Sequence, residues 1–362
     1  MRPLVRAVLR GALRDIRHVK AVPPGRANGL VARVYAQARR DFGVLAPPLA
    51  LHSPAPDALA ASWLLLRETL LVDVEADRAE KETVATAVSR ANSCPYCVEV
   101  HRAKASVLRR QPPGESAALS AWAGADPRSA GPGRADDGDG PAAQAPPFPA
   151  ARTPELAGVA VTFHYLNRMV SVFLADSPVP DAAPGFLREP LMRTVARGMH
   201  ADDPGPLPPG LSLDLLPPAP PVPGLDWAAG RPEVAQALAR AVAATEHGAR
   251  WVPAPVRDGL RARLAGWDGS PPGPDRAWLD PLPGEGTPGD GTGTPGTPDP
   301  AAAAASRLAL LTAFAPYRVT EADVAAFRRH HPTDRALVEL TSWAALTTAV
   351  HQGSRLAVPA PA

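Results

Sequence analysis

The stretch Asn92-Ser93-Cys94-Pro95-Tyr96-Cys97-Val98-Glu99-Val100-His101 sets two cysteines three residues apart at the head of a segment with helical surroundings. Upstream, Val84, Ala87, Val88 and Ala91 recur at the three- and four-residue spacing that puts apolar side chains on one helix face. A glutaredoxin-type Cys-x-x-Cys follows a strand inside a βαβ unit. No strand pattern precedes Cys94, so that reading fails on context. Asn92 or Ser93 is placed to cap the helix that follows, and Pro95 in its first turn loses no intrahelical hydrogen bond.

Working outward, the same periodicity returns along the chain and strand-like alternation is almost absent. Helices are predicted over 53–71, opened by Ser53-Pro54, then over 75–91, 94–110, 153–175 (opened by Thr153-Pro154), 185–199, 232–248, 254–266, 302–314, 320–330 and 334–356. Thr320 and Asp323 have capping-box spacing. The fold class is therefore all-α. Residues 125–150, 201–226 and 268–300 are rich in Pro, Gly, Asp or Thr and read as loops or linkers. Gly291 to Gly296 matches a dinucleotide fingerprint in letters only, because no strand precedes it and Pro295 interrupts the would-be helix start.

A faint internal echo runs through the chain. Pro56–Ala61 matches Pro232–Ala237 in pattern, Cys94-Pro95-Tyr96-Cys97-Val98 faces Ala315-Pro316-Tyr317-Arg318-Val319, and helix 154–175 has a counterpart in 334–356. This divides the chain into a dithiol-bearing helical domain, 1–180, and a second, motif-free half, 181–362, read as a degenerate repeat with a low-complexity linker at 268–300.

A net charge of +2 among 362 residues leaves no basic face for nucleic acid. Two cysteines so close together are not a secreted disulfide framework, which needs thiols spread along the chain. Arg2, Arg6, Arg10 and Arg14 form a helical stripe opposite Leu4, Val8 and Ala12, read as the solvated face of a docked helix rather than a membrane anchor. No apolar run reaches signal-peptide or membrane-spanning length, so the expected location is cytoplasmic.

The chemistry centres on Glu82, Cys94, Cys97 and His101. On a helix, Cys97 and His101 lie one turn apart and share a face, so His101 can serve as base to the Cys97 thiol directly or through a water. Cys94 falls where unpaired amides and the helix dipole stabilise a thiolate. Glu82 would join them only if two antiparallel helices return it beside His101. A zinc site using Cys94, Cys97, His101 and Glu82 is the competing reading, weakened because no second Cys/His pair exists. His164, Asn167 and Arg168 share a helical spacing and could overlie the dithiol or simply form a polar core edge.

Taken together, Glu82, Cys94, Cys97 and His101 resemble the relay motif of the AhpD-like, carboxymuconolactone-decarboxylase-related superfamily. Asn92, His52-Ser53-Pro54, Phe163-His164-Tyr165-Leu166-Asn167-Arg168 and the closing region 307–357 support it. The resemblance implies an all-α, oligomerising fold and a thiol-dependent peroxidase or disulfide oxidoreductase without cofactor or metal. In that scheme Cys97 attacks a hydroperoxide, Cys94 condenses with the sulfenic acid to a disulfide, His101 and Glu82 pass the proton, and a dithiol reductant of unassigned identity closes the cycle. Tyr96 stands where AhpD itself has a histidine and is similar to the peroxidase-related branch, which leaves oxidant and reductant open. The superfamily's true decarboxylases lack the dithiol, which argues against lactone decarboxylation. A redox-sensing or interaction protein whose dithiol switches without turnover is the alternative from a different class.

Overall fold

Asp77 sets the start of the helix that carries Glu82. Its carboxylate accepts from the Glu80 amide at 2.9 Å, and the Glu80 side chain accepts from the Asp77 amide at 2.9 Å, a reciprocal cap. The computed structural model describes residues 15–108, 113–125, 146–179, 206–280 and 299–356, with a few isolated positions besides. All regular elements among these are helical. In chain order they are α1 (Gly29–Asp41), α2 (Pro56–Leu65), α3 (Arg78–Ala91), α4 (Pro95–Leu108), α5 (Pro113–Ala123), α6 (Thr153–Phe173), α7 (Pro232–Gly248), α8 (Ala254–Ala265), α9 (Pro300–Phe314), α10 (Glu321–Arg328) and α11 (Asp334–Gly353), with single turns between them. The predicted Arg stripe and most of the predicted helix 185–199 lie outside the described residues. Among those described, no helix is long and apolar enough to cross a membrane.

α6 is the axis of the molecule. Every residue of it except Ser171 is buried, the polar His164, Asn167 and Arg168 included. It packs against α3, α11, the end of α2 and the loop just before α10. Two glycines set how closely its neighbours approach. A Cβ at Gly158 would stand 3.0 Å from Thr69 Cγ2 and 3.2 Å from Val234 Cγ1, and one at Gly353 of α11 would collide with Val161. Val34 and Leu59 share one continuous apolar core with Leu238, Leu308 and Trp343, so both halves of the chain bury their faces together. The helices linked by the internal echo pack as partners, α2 on α7 and α6 on α11.

Three expectations on local structure change. α2 begins at Pro56, not Ser53, because the Ser53 hydroxyl accepts from the Val22 amide at 2.8 Å and Pro56 takes the first helical position. After Leu65 the helix widens into a π segment, Leu66–Leu71, a form that often marks a constrained site. The described part of the Pro-rich stretch, 206–225, is not a loose linker. Buried Glu68 accepts from the Gly210 amide (2.8 Å) and the Ser212 hydroxyl (2.7 Å), while Arg67, with no exposed surface, bonds Asp41 and Glu68 at 2.6 Å and the Pro208 carbonyl at 3.0 Å. Helices α1 and α5 lie where none was predicted.

Candidate active site

Cys94 occupies the cap position of α4. Its carbonyl accepts from the Val98 amide at 3.0 Å, and its own amide donates to the Ser89 carbonyl at 2.9 Å. Ser93 turns the chain between α3 and α4 with a left-handed φ of 53°. Neither Asn92 nor Ser93 therefore caps α4, contrary to the expectation from sequence. The Cys94 sulfur takes that role, accepting from the Cys97 amide as a cap hydroxyl would.

Both cysteines are free and buried. Burial raises the Cys94 thiol, but bonds from the Cys97 thiol, the Cys97 amide and the Ser171 hydroxyl outweigh it and leave Cys94 below the ordinary thiol value. Cys97 goes the other way. Burial and the neighbouring Cys94 sulfur push it well up, only partly offset by a bond from Asn167. The two thiols are coupled, and the Cys97 amide at the head of α4 together with the Ser171 hydroxyl favours the anion at Cys94 over Cys97.

α3 and α4 pack as an antiparallel hairpin, which returns Glu82 to α4. His101 Nδ1 lies 2.6 Å from Glu82 Oε2, and Arg78 holds the other oxygen with Nη2 at 2.7 Å and Nε at 2.8 Å. Burial raises the Glu82 carboxyl, but Arg78 and His101 overcome it and bring it down to about 2. Ionised Glu82 thus accepts the Nδ1 proton and leaves Nε2 as the basic ring nitrogen of His101. Phe163 meets the imidazole edge-on, with ring centroids 4.5 Å apart, and fixes its plane. Lys104, one turn further along α4, is buried, and desolvation with nearby Arg78 brings it down to about 7 against the pull of Glu82.

Cys97 and His101 share the wall of a cavity of about 80 Å³, several times the ~10–15 Å³ one water needs. Cys94 lies behind that wall. α4 also contributes Tyr96 and Val100, α6 contributes Phe163, Leu166 and Val170, α2 contributes Ser62, and the segment before α2 adds Phe42, Val44 and Leu49. Among the described residues no group of three or more His, Cys, Asp or Glu side chains is arranged to hold a metal.

All four residues singled out from sequence come together: Cys94 touches Cys97, Cys97 shares a cavity wall with His101, and His101 touches Glu82. His164 and Arg168 do not line the cavity. Arg168 donates to the Ala313 carbonyl at 2.9 Å, and His164, held near 3 by desolvation and Arg168, pairs with Asn92 at 3.1 Å. Asn167 reaches Cys97, donates to the Ser89 hydroxyl at 3.0 Å and accepts from Asn92 at 2.9 Å. Sequence reasoning missed Arg78 and Ser171. Only Arg78 carried a signal, being four residues before Glu82 on one helix face.

An all-helical core around a capped Cys-x-x-Cys, with a Glu–His pair bridging the adjacent helices, defines a class of helical dithiol proteins. The chain belongs to the carboxymuconolactone decarboxylase family, whose model matches residues 57–130. It is 35% identical over 354 residues to the alkyl hydroperoxide reductase Rv2159c of Mycobacterium tuberculosis, an alignment covering 94% of this chain and 95% of that relative.

Proposed function

We propose that the chain is a thiol-dependent peroxidase or disulfide oxidoreductase of the AhpD-like type, with Cys97 as the attacking sulfur. The observation that carries this is the shared wall: Cys97 and His101 open on one apolar cavity, with His101 clamped from behind by an ionised Glu82. The name of the aligned relative points the same way.

In the reaction, His101 Nε2 takes the Cys97 proton directly or through one water. The Cys97 thiolate attacks the outer oxygen of R–O–O–H. The S–O bond forms as the O–O bond breaks, Cys97 becomes a sulfenic acid, and the leaving alkoxide takes the proton back from His101 as ROH. Cys94, already in contact with Cys97, attacks the sulfenic sulfur: the S–S bond forms as the S–O bond breaks, and the departing hydroxide takes a proton from Cys94 itself, or from solvent where Cys94 is already a thiolate, and leaves as water. An external dithiol returns two electrons and two protons. The second half serves as a degenerate repeat that covers the first, a role supported by the packing of α2 on α7 and α6 on α11.

The test uses the reduced full chain, an organic hydroperoxide and dithiothreitol. Cys97→Ser is expected to abolish disulfide formation and turnover, and Cys94→Ser to leave a sulfenic acid on Cys97 detectable by mass. Wild-type turnover in Cys97→Ser would refute the assignment. Oxidation by one equivalent of peroxide, with no turnover under any dithiol, would instead make the chain a redox sensor.

A further inference from the structure

Arg17 lies outside the dithiol hairpin yet closes the helix end that touches it. Its Nη2 donates to the Ser171 carbonyl at 3.3 Å and to the Leu174 carbonyl, and its amide donates to the Phe173 carbonyl at 2.7 Å. A helix leaves its last carbonyls unpaired, and they carry the negative end of its dipole. Arg17 covers that end of α6 with its backbone and its guanidinium together. The segment that brings it there is fixed on both sides. Ile16 and Val19 belong to the core, the Lys20 amide donates to Asp334 at 2.8 Å, and Arg328 donates to the His18 carbonyl. His18 is held in the left-handed region at a φ of 66°, a conformation that residues other than glycine keep only where their surroundings fix it.

Cys94 sits against this same end of α6. Ser171, in the last turn, donates its hydroxyl to the Cys94 sulfur while its carbonyl accepts from Arg17, so one residue joins the arginine to the thiol. Two negative features crowd that sulfur. One is the carboxyl end of α6, and the other is Asp176, two residues past Leu174, whose charge works against a Cys94 thiolate. The other ionisable groups around Cys94 are Cys97 and Tyr96 on α4, and burial keeps the Tyr96 phenol protonated. A guanidinium on the last carbonyls offsets the helix end, as a cation placed there does in general.

We propose that Arg17 is a positioning residue for the dithiol: by closing the carboxyl end of α6 it holds the Ser171 hydroxyl on Cys94 and offsets the negative helix end beside that sulfur. The consequence for turnover rests on the peroxidase reading above. There Cys94 is kept available as the anion that attacks the Cys97 sulfenic acid, and it is the sulfur that departs when a thiol opens the disulfide at Cys97.

The experiment titrates Cys94 by thiolate absorbance in the full chain carrying Cys97→Ser, with the signal of the protein carrying both Cys94→Ser and Cys97→Ser subtracted. Adding Arg17→Met is expected to raise the Cys94 midpoint by about 0.5–1.5 pH units, the scale of a partly buried helix-end charge together with a loosened hydroxyl. Arg17→Lys should give back more than half of that change. Ser171→Ala should raise the midpoint too, and combined with Arg17→Met it should raise it by less than the sum, because both act through one contact. A midpoint unmoved by Arg17→Met, no recovery in Arg17→Lys, or strictly additive changes overturn the proposal. Should Arg17→Met not fold, Arg17→Gln takes its place under the same criteria. Peroxide turnover by the wild-type chain is scored separately. Turnover with an unmoved midpoint overturns the role of Arg17 and leaves the peroxidase reading standing, whereas a moved midpoint without turnover supports the role of Arg17 and sinks the peroxidase reading.

Discussion

Replacing Glu82 with Gln keeps the shape of the side chain and removes its charge. The carboxylate is fully buried, takes Arg78 on one oxygen and His101 on the other at 2.6 Å, and is held ionised down to about 2. A hydrogen bond to a charged group is worth about 1.5–3 kcal/mol against about 0.5–1.5 for a neutral one. Losing that difference of about 1–2 kcal/mol when His101 carries the Cys97 proton slows the step by roughly 5- to 30-fold. A Gln amide can also donate to Nδ1, reversing the imidazole tautomer so that Nε2 bears hydrogen and cannot accept. Both effects act on the same step. The assay is single-turnover loss of thiols with a fixed excess of organic hydroperoxide at pH 7, beside a urea unfolding curve. The expected result is a rate down by at least fivefold, with a stability loss of about 1–3 kcal/mol from the half-satisfied Arg78. Glu82→Gln oxidising its dithiol at the wild-type rate would refute the relay.

Acid should destabilise the fold before it protonates Glu82. Desolvation keeps His52 near 4 and, together with Arg168, His164 near 3, against 6.5 when unfolded, so the unfolded chain binds more protons once pH falls below 6.5. Their stabilisation is present above that value and is lost on acidification, about 2 kcal/mol for each residue by pH 5, checked by urea melts across pH 5–7. Glu82 adds about 3 kcal/mol that is present above its unfolded value of 4.5 and is lost as pH falls toward 2. Arg67→Met strands buried Asp41 and Glu68 without their shared cation, and a loss of about 3–5 kcal/mol is expected in the same melts. Gly353→Ala drives a methyl into Val161 where α11 crosses α6, with about 1–3 kcal/mol lost and both halves melting together; two separate transitions would contradict the single core.

Local chemistry in the candidate site was legible where it depended on spacing along one helix. Cys97 and His101, four residues apart, needed only helical periodicity. Glu82 needed the α3–α4 hairpin, and the Asn92-Ser93 break made that turn foreseeable without fixing which side chains would meet. Ser171 and Asn167 reach the sulfurs from α6, 70 or more positions away in the chain, and no local pattern announces such a contact. Asn92 was a reasonable cap by propensity, but its amide goes instead to Asn167 and His164, leaving the cap to a sulfur. Composition misled at 206–225, where Pro and Gly suggested a linker while Glu68, some 140 residues earlier, supplies the acceptors that pin it. α1 carries a legible helical stripe in Val31, Val34, Tyr35 and Ala38, flanked by the polar Arg33, Arg39 and Arg40.

Under the proposed dithiol chemistry, the sulfur cap on α4 ties the oxidation state of the cysteines to backbone order. In the proposed cycle, closing the disulfide takes Cys94 out of the thiolate form that the Cys97 amide and the Ser171 hydroxyl favour, so oxidation would cost the first turn of α4 its anchor while reduction would restore it. Each charge-assisted bond of about 1.5–3 kcal/mol that favours the reduced form raises the couple by roughly 30–60 mV, moving this dithiol toward the oxidising end of the thiol scale. The same linkage predicts that amides at the head of α4 exchange with solvent faster in the oxidised protein, giving hydrogen exchange a direct view of the oxidation state.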